Sequence, residues 1–187
     1  MNRFENWFCA SSIWRSMTRR HLLPWMLSET ELGEHVLEIG AGPGAATEEL
    51  RKRARRVTSI DYSHAFAVGL AQRATSTNGA VLQGDVSTLP FPEKTFSAAI
   101  AVLVLHHLKS PELQERAFAE IFRVLRPGGV FLVLEIQDGW LQRLGHFRST
   151  FVPVAPASAP QRLASAGFSS VCIACKGSAY RLRALRP

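Results

Sequence analysis

Long apolar runs are missing from this 187-residue chain: the longest uninterrupted one, Ala98 to Leu105, falls far below the roughly 18 residues needed to span a bilayer. Arg15, Arg19 and Arg20 are too scattered to head a signal peptide, so a soluble, cytoplasmic protein is expected. Cysteine is scarce, and Cys9, Cys172 and Cys175 cannot build a disulfide framework. Cys172 and Cys175 read as C-x-x-C, but they lie in a β-rich run where residues three apart point to opposite faces. No second Cys/His pair stands at metal-ligand spacing, so the expectation is two core thiols and no metal. Acids are outnumbered, 15 against 22 Lys and Arg, leaving a formal charge of +7 carried mostly by arginine. Such a surface suits nucleic acid, anionic lipid or an acidic substrate and says nothing about fold. The densest basic run, Arg51 to Arg56, closes a helix whose start carries Glu48 and Glu49, so it reads as a solvated helix end that complements the dipole. The length suits one hydrophobic core, with none to spare for a second substrate domain.

What the chain does have is the stretch His35-Val-Leu-Glu-Ile-Gly-Ala-Gly-Pro-Gly44. Its first half is a short apolar run, as in a buried parallel strand, and its second half is a glycine-dense turn feeding a helix. Gly40 and Gly42 let a ligand approach where a Cβ would collide, and Pro43 suits a first helical turn. Gly40-x-Gly42-x-x-Ala45 also fits the dinucleotide fingerprint, so the turn alone does not name its ligand.

Residues 2 to about 18 place Phe4, Trp7, Phe8, Trp14 and Met17 at helical spacing among arginines, and a second helix reads from His21 to Leu32, capped by Gly33. The pair packs on the sheet, forms a lid over the cleft, or touches a membrane surface. From Glu34 strands and helices alternate. Strands read at 35–40, 57–61, 80–85, 96–103 and 130–136, with helices at 44–54, 64–75 and 111–125. Ser110 caps the last helix, Leu113, Ala117, Ile121 and Val124 mark its apolar face, and Pro127-Gly128-Gly129 breaks the chain after it. A helix near 140–147 and a short one ending at Gly167 follow. Strands at 170–176 and 179–185, joined by Gly177-Ser178, read as a hairpin antiparallel to the rest. The expectation is an α/β, doubly wound, seven-stranded sheet, mostly parallel, with helices on both faces. It divides into an N-terminal cap (1–33), a cofactor-binding core (34–136) and an acceptor-side segment with the hairpin (137–187).

Open α/β sheets bind ligands beyond the carboxyl ends of their strands, so the residues there are informative. Asp61 stands about 20 residues after the glycine turn, the spacing at which a carboxylate grips ribose hydroxyls, although it could instead cap the next helix. Asp85 with the Val86 backbone matches an adenine edge, or Asp85 caps a turn. Glu38 adds negative charge beside the glycines. Val36–Gly44, Ser59-Ile-Asp-Tyr-Ser63, Gln83–Pro92, Phe96–Leu108 and Arg123–Leu132 together resemble the class I S-adenosylmethionine-dependent methyltransferases, the small-molecule and quinone enzymes in particular. The resemblance covers residues 34 to 136 and implies a Rossmann-like fold. It implies Gly40, Ala41 and Gly42 against the methionine part of the cofactor, Asp61 on the ribose, Tyr62 beside the adenine, Asp85 and Val86 on the adenine edge, and main chain near Ala101 at the methionine end. The product would be S-adenosylhomocysteine.

Methyl transfer from a sulfonium is an in-line displacement that needs no metal and no covalent enzyme intermediate. A base is needed only where the acceptor must lose a proton. His106 and His107 follow the fourth strand and are the candidates, alongside a purely structural role; in an extended chain only one of them can face the cleft. Trp7, Phe8, Trp14, Trp140, Phe147 and Phe151 suggest an apolar or aromatic small-molecule acceptor, quinone- or lipid-like. An RNA methyltransferase is disfavoured by the lack of a basic-aromatic stripe. A non-catalytic S-adenosylmethionine-binding protein is the other alternative.

Overall fold

The computed structural model describes residues 3–28, 30–73 and 78–187. Their strands, β1 (His35–Ile39), β2 (Arg56–Asp61), β3 (Gly79–Gln83), β4 (Phe96–Val102), β5 (Leu125–Ile136), β6 (Ser169–Lys176) and β7 (Ala179–Leu185), form one sheet in the order β3-β2-β1-β4-β5-β7-β6. β1 to β5 pair in parallel, while β7 is antiparallel to both β5 and β6. Strand order reverses between β1 and β4. The expected mostly parallel, doubly wound sheet with an antiparallel hairpin is therefore the one observed.

Alternation along the central strands splits their side chains between two cores. Leu37, Ala99, Ala101, Phe131 and Val133 face one side, with Phe118, Ile121 and Val124 of α6 (Pro111–Val124) and Leu163 of α8 (Ala159–Ser165). Val36, Ala98, Ile100, Leu132 and Leu134 face the other, with Leu23, Met26 and Leu27 of α3 (Leu23–Leu27) and Leu50 of α4 (Thr47–Arg53). Both faces of β1 and β4 are covered, which is why these strands read as apolar runs rather than as alternation. Ser110 caps α6 as expected, its Oγ accepting from the Leu113 N–H.

Several boundaries differ from the sequence reading. The N-terminal helix breaks at Ser11 into α1 (Arg3–Ala10) and α2 (Ser12–Met17), because the Ser11 hydroxyl accepts from the Trp14 N–H and starts a new helix. The expected placement of Asn2 and of the Phe4 side chain falls outside the described residues. Thr18–Leu22 forms a π-helical turn into α3, which stops at Leu27, well before Gly33. α4 starts at Thr47 rather than Gly44, since Gly42 and Gly44 at φ +52° and +85° hold the chain in a turn that includes Pro43. α5 spans His64–Arg73, and the expected last turn through Thr75 falls outside the described residues. Pro127-Gly128-Gly129 does not end the element but bulges inside β5: Phe96 pairs with Leu125 and Ala98 with Val130, and Gly128 and Gly129 exchange backbone hydrogen bonds with Arg186. Cys172 and Cys175 are both exposed, not core thiols, because β6 is the outermost strand of the sheet. α7 (Trp140–Gly145) buries no residue. No helix among the described residues is long and apolar enough to cross a membrane.

Candidate functional site

A cavity of about 680 Å³ opens above the carboxyl ends of the strands where their order reverses. Glu38, Gly40, Ala41, Gly42, Asp61, Tyr62, Asp85, Val86 and His107 all stand in its wall. Two residues read from the sequence do not. Ala101 is fully buried one residue below, with Val102, Leu103 and Val104 at the rim, and His106 is turned into the protein. The first 33 residues contribute Cys9, Trp14 and Thr18 to the wall, which no local sequence signal had singled out beyond the aromatic face. Thr18 is fully buried, and its Oγ1 has no hydrogen-bond partner among the described residues. A crevice of about 450 Å³ lined by Arg55, Arg56 and Arg126 lies at the other end of the strands, opposite to where open α/β sheets take ligands.

The glycine turn is held from beneath. Gly40 N–H donates to the Ile60 carbonyl at 2.8 Å, and a Cβ on Gly40 would stand 2.2 Å from Val104 Cγ2. At Gly42 a Cβ would meet nothing within 4 Å, because that position faces open space. Glu38 is 2% exposed, and Thr47 and Ser59 both donate their hydroxyls to its Oε2, at 2.7 and 2.6 Å. Burial pushes this carboxyl up to about 7 against the pull of those two hydrogen bonds. Glu38 thus ties β1 to β2 and to the start of α4.

The helix cap read as an alternative for Asp61 falls instead to Ser63, whose Oγ accepts the Phe66 N–H in the first turn of α5. Asp61 Oδ1 accepts the Ser63 N–H at 2.8 Å in the turn before that helix, while its Oδ2 accepts the Gly42 N–H at 2.7 Å and so braces the glycine turn. Burial raises its pKa, partly offset by those two N–H groups. Asp85 Oδ1 caps a turn through the N–H and Oγ of Ser87, both at 2.8 Å. The loop behind it hangs on α6: Glu120 accepts the Leu89 N–H, and Arg123 donates to the carbonyls of Leu89 and Phe91.

Beyond β4 the chain takes an unusual path. Leu103, at φ 54°, adopts the left-handed conformation that costs a non-glycine residue about 1–3 kcal/mol, and Leu105–His107 then make a 3-10 turn. Glu135, fully buried in β5, holds that turn. Its Oε1 accepts the N–H groups of Val104 and Leu105 at 2.9 and 2.7 Å, and its Oε2 meets His106 Nδ1 at 2.5 Å. Burial works to raise this carboxyl, but the adjacent His106 and the backbone donors hold it below its ordinary range. Glu135 was missed in the sequence, although a lone acid inside an apolar strand must find partners. His107 is pushed down to about 4 by burial and by neighbouring His106, against the Thr150 carbonyl that accepts from its Nδ1. Cys9, pushed up to about 11 by burial and by Glu5, keeps its thiol proton.

The donor set fits an adenosine bearing a cationic sulfur. Acids stand at the ends of β1 and β2 and just after β3, and the backbone at Gly42 is open to a close-lying ligand. Residues 37–133 match the family model described as a methyltransferase domain. A demethylmenaquinone methyltransferase of Corynebacterium kroppenstedtii is 33% identical over 124 residues, 66% of this chain and 48% of that protein. A malonyl-[acyl-carrier protein] O-methyltransferase of Serratia marcescens is 33% identical over 113 residues, 60% of this chain and 42% of that one. The chain spans about half the length of the relatives it matches. Among solved structures, an S-adenosylmethionine-dependent methyltransferase of Thermotoga maritima aligns with a TM-score of 0.78 over 100% of this chain and 95% of that one, at 19% identity, a likeness of fold.

Proposed function

Since the chain belongs to the methyltransferase domain family of class I S-adenosylmethionine-dependent proteins, we propose that it transfers a methyl group from S-adenosylmethionine to a small apolar or aromatic acceptor, quinone- or lipid-like. One observation carries this reading. Within one cavity Asp61, Tyr62 and Asp85 gather on the β2–β3 side of the glycine turn, while Trp14, Leu108 and Leu113 supply an apolar wall from the N-terminal helices and the region after β4.

When bound, S-adenosylmethionine supplies a methyl group on a positive sulfur that leaves as a neutral thioether. The chain's own part is to bind and align. Asp61 would hold the ribose hydroxyls with the lone pairs its backbone donors leave over, Asp85 and the Val86 N–H would read the adenine edge, and exposed Tyr62 would cover the ring. Gly40 to Gly42 would lie along the methionine portion, and residues up to Gly33 would close over the bound molecule. Alignment of this kind can contribute up to about 7–11 kcal/mol. His107 enters as a neutral wall of the acceptor side, since a group pushed down to about 4 is a poor base for a phenol of pKa about 10. His106 enters as the anchor that Glu135 grips, a positioning role.

The name of one relative, a demethylmenaquinone methyltransferase, supports a quinone-like acceptor, and that of the other, which acts on malonyl-[acyl-carrier protein], supports a small acceptor group, there carried on a protein. Exposed Trp140, Leu141, Leu144 and Phe147 around α7, with Trp7 and Ile13 nearby in sequence to Arg15 and Arg19, suit an anionic bilayer surface that presents a lipophilic acceptor. The test is calorimetric titration with S-adenosylmethionine, S-adenosylhomocysteine and NAD on the parent and Asp61→Ala. Labelled methyl transfer into lipid, polar-metabolite and RNA fractions would follow. Micromolar binding of both sulfur compounds, lost in the variant, with label in the lipid fraction, is expected. Preference for NAD would overturn the cofactor assignment, and label confined to RNA or polar metabolites would overturn the acceptor class.

A further inference from the structure

Three histidines from two distant stretches, His106, His107 and His146, bring ring nitrogens within 4.8 Å of one another. Sequence spacing conceals the cluster, since 39 positions of chain separate His107 from His146. We propose that they form a binding site for one divalent ion of the zinc class.

The hydrogen bonds decide which nitrogens are available. His107 Nδ1 lies 3.3 Å from the Thr150 carbonyl, His146 Nδ1 lies 2.7 Å from the Gln142 carbonyl, and His106 Nδ1 lies 2.5 Å from the Glu135 carboxylate. Carbonyl oxygens only accept, so Nδ1 carries the proton and a neutral ring turns its lone pair out at Nε2. A carboxylate or carbonyl behind each ring is the outer arrangement that fixes the tautomer of zinc-ligating histidines.

A carboxylate lies beside the cluster. Glu5 Oε1 stands 3.7 Å from His146 Nε2 and is oriented by the Ser149 hydroxyl at 2.5 Å. Either a proton on Nε2 or a metal ion beside it makes this approach of a carboxylate to an imidazole favourable, and the carboxylate adds negative charge next to the cluster. The side chains are sheltered, 3% exposed at His106, 13% at His146 and 9% at Glu5. Phe151 stacks on His146 and packs edge-on to His106, completing an apolar collar.

Three imidazole nitrogens suit zinc in tetrahedral geometry with the fourth position left to solvent. Bonds of about 2.0–2.1 Å would set the three nitrogens about 3.4 Å apart, a closure of little more than an ångström for the widest pair. The ion would clasp the segment after α7 to the turn that follows β4.

The test uses the full chain without a polyhistidine tag, stripped of metal and titrated with zinc alone, with cobalt(II) as a spectroscopic probe. Expected are one ion per chain, submicromolar affinity, the intense visible absorption of tetrahedral cobalt and a rise in Tm on adding zinc. His146→Ala should weaken binding at least 100-fold while keeping its circular dichroism, since His146 belongs to neither hydrophobic core. Glu135→Gln should weaken it by about 10–100-fold, and His21→Ala should leave it unchanged. Weak absorption typical of octahedral cobalt, or equal affinity in the parent and His146→Ala, would overturn the proposal.

Discussion

Replacing Glu38 with Gln tests whether a buried acid at the root of the glycine turn is held protonated. Burial raises its carboxyl from 4.5 to about 7. Below pH 4.5 the group is neutral in both folded and unfolded chains and costs nothing. As pH rises from 4.5 to 7, only the unfolded chain releases the proton, so stability falls. Above 7 the penalty levels off at roughly 3 kcal/mol, from the gap between the two values at about 1.4 kcal/mol per pH unit. Glutamine should remove that slope without disturbing the contacts. Both hydroxyl donors, Thr47 and Ser59, converge on Oε2, which an amide oxygen replaces, and the amide nitrogen takes the place of the protonated Oε1. Urea unfolding from pH 4.5 to 8.5, with equal m values as the check on comparability, should show the two proteins alike at the acid end. Glu38→Gln should be more stable by up to about 3 kcal/mol at pH 8. Parallel profiles, or a variant less stable at pH 8, would refute the reasoning.

Alanine at two neighbouring glycines should fail in different ways. At Gly40, φ is +64° and the new Cβ meets Val104 at 2.2 Å, so urea unfolding should register a loss of about 2–5 kcal/mol from strain plus overpacking. At Gly42 the Cβ meets nothing, so stability should fall only by the backbone strain of about 1–2 kcal/mol, while calorimetry shows S-adenosylmethionine affinity reduced at least tenfold. Asp61→Asn turns one acceptor oxygen toward Gly42 or Ser63 into a donor; cofactor affinity should fall at least tenfold, with about 1–2 kcal/mol lost in thermal unfolding. Tyr180→Phe strips the buried Val154 carbonyl of its 2.7 Å donor and should cost about 1–3 kcal/mol by the same measurement, with the cofactor affinity retained.

The parallel half of the sheet could be read from residues because strands covered on both faces write themselves as apolar runs such as Val36–Ile39 and Ala98–Val102, divided by capped helices. The hairpin was equally legible from Gly177-Ser178, and the acids near the strand ends pointed to the cavity. Conformations set by distant partners were not legible. Pro127-Gly128-Gly129 looks like a terminator until Arg186 pairs with both glycines. His106 and His107 read as the end of an extended strand, whereas Glu135, some thirty positions later, draws the turn that sends one inward and leaves the other in the wall. Ser11, one more small residue in an aromatic stretch, ends one helix by starting the next. Neither His146 nor Glu5 has a neighbour in sequence that betrays their meeting.

The placement of β7 bears on the order in which the chain can assemble. Among the described residues β6 pairs only with β7, and β7 in turn docks along β5 from Val130 to Ile136. β6 is made first yet cannot join the sheet until its successor lies in place. Either β7 docks on β5 and β6 then adds to it, or the two strands zip together through their tight turn, a local event on the microsecond scale, and dock as a unit in a slower long-range step. Until they arrive, the edge of β5 stays open. The interval between β5 leaving the ribosome and the docking of the hairpin is the period in which this chain is most exposed to pairing with the wrong partner.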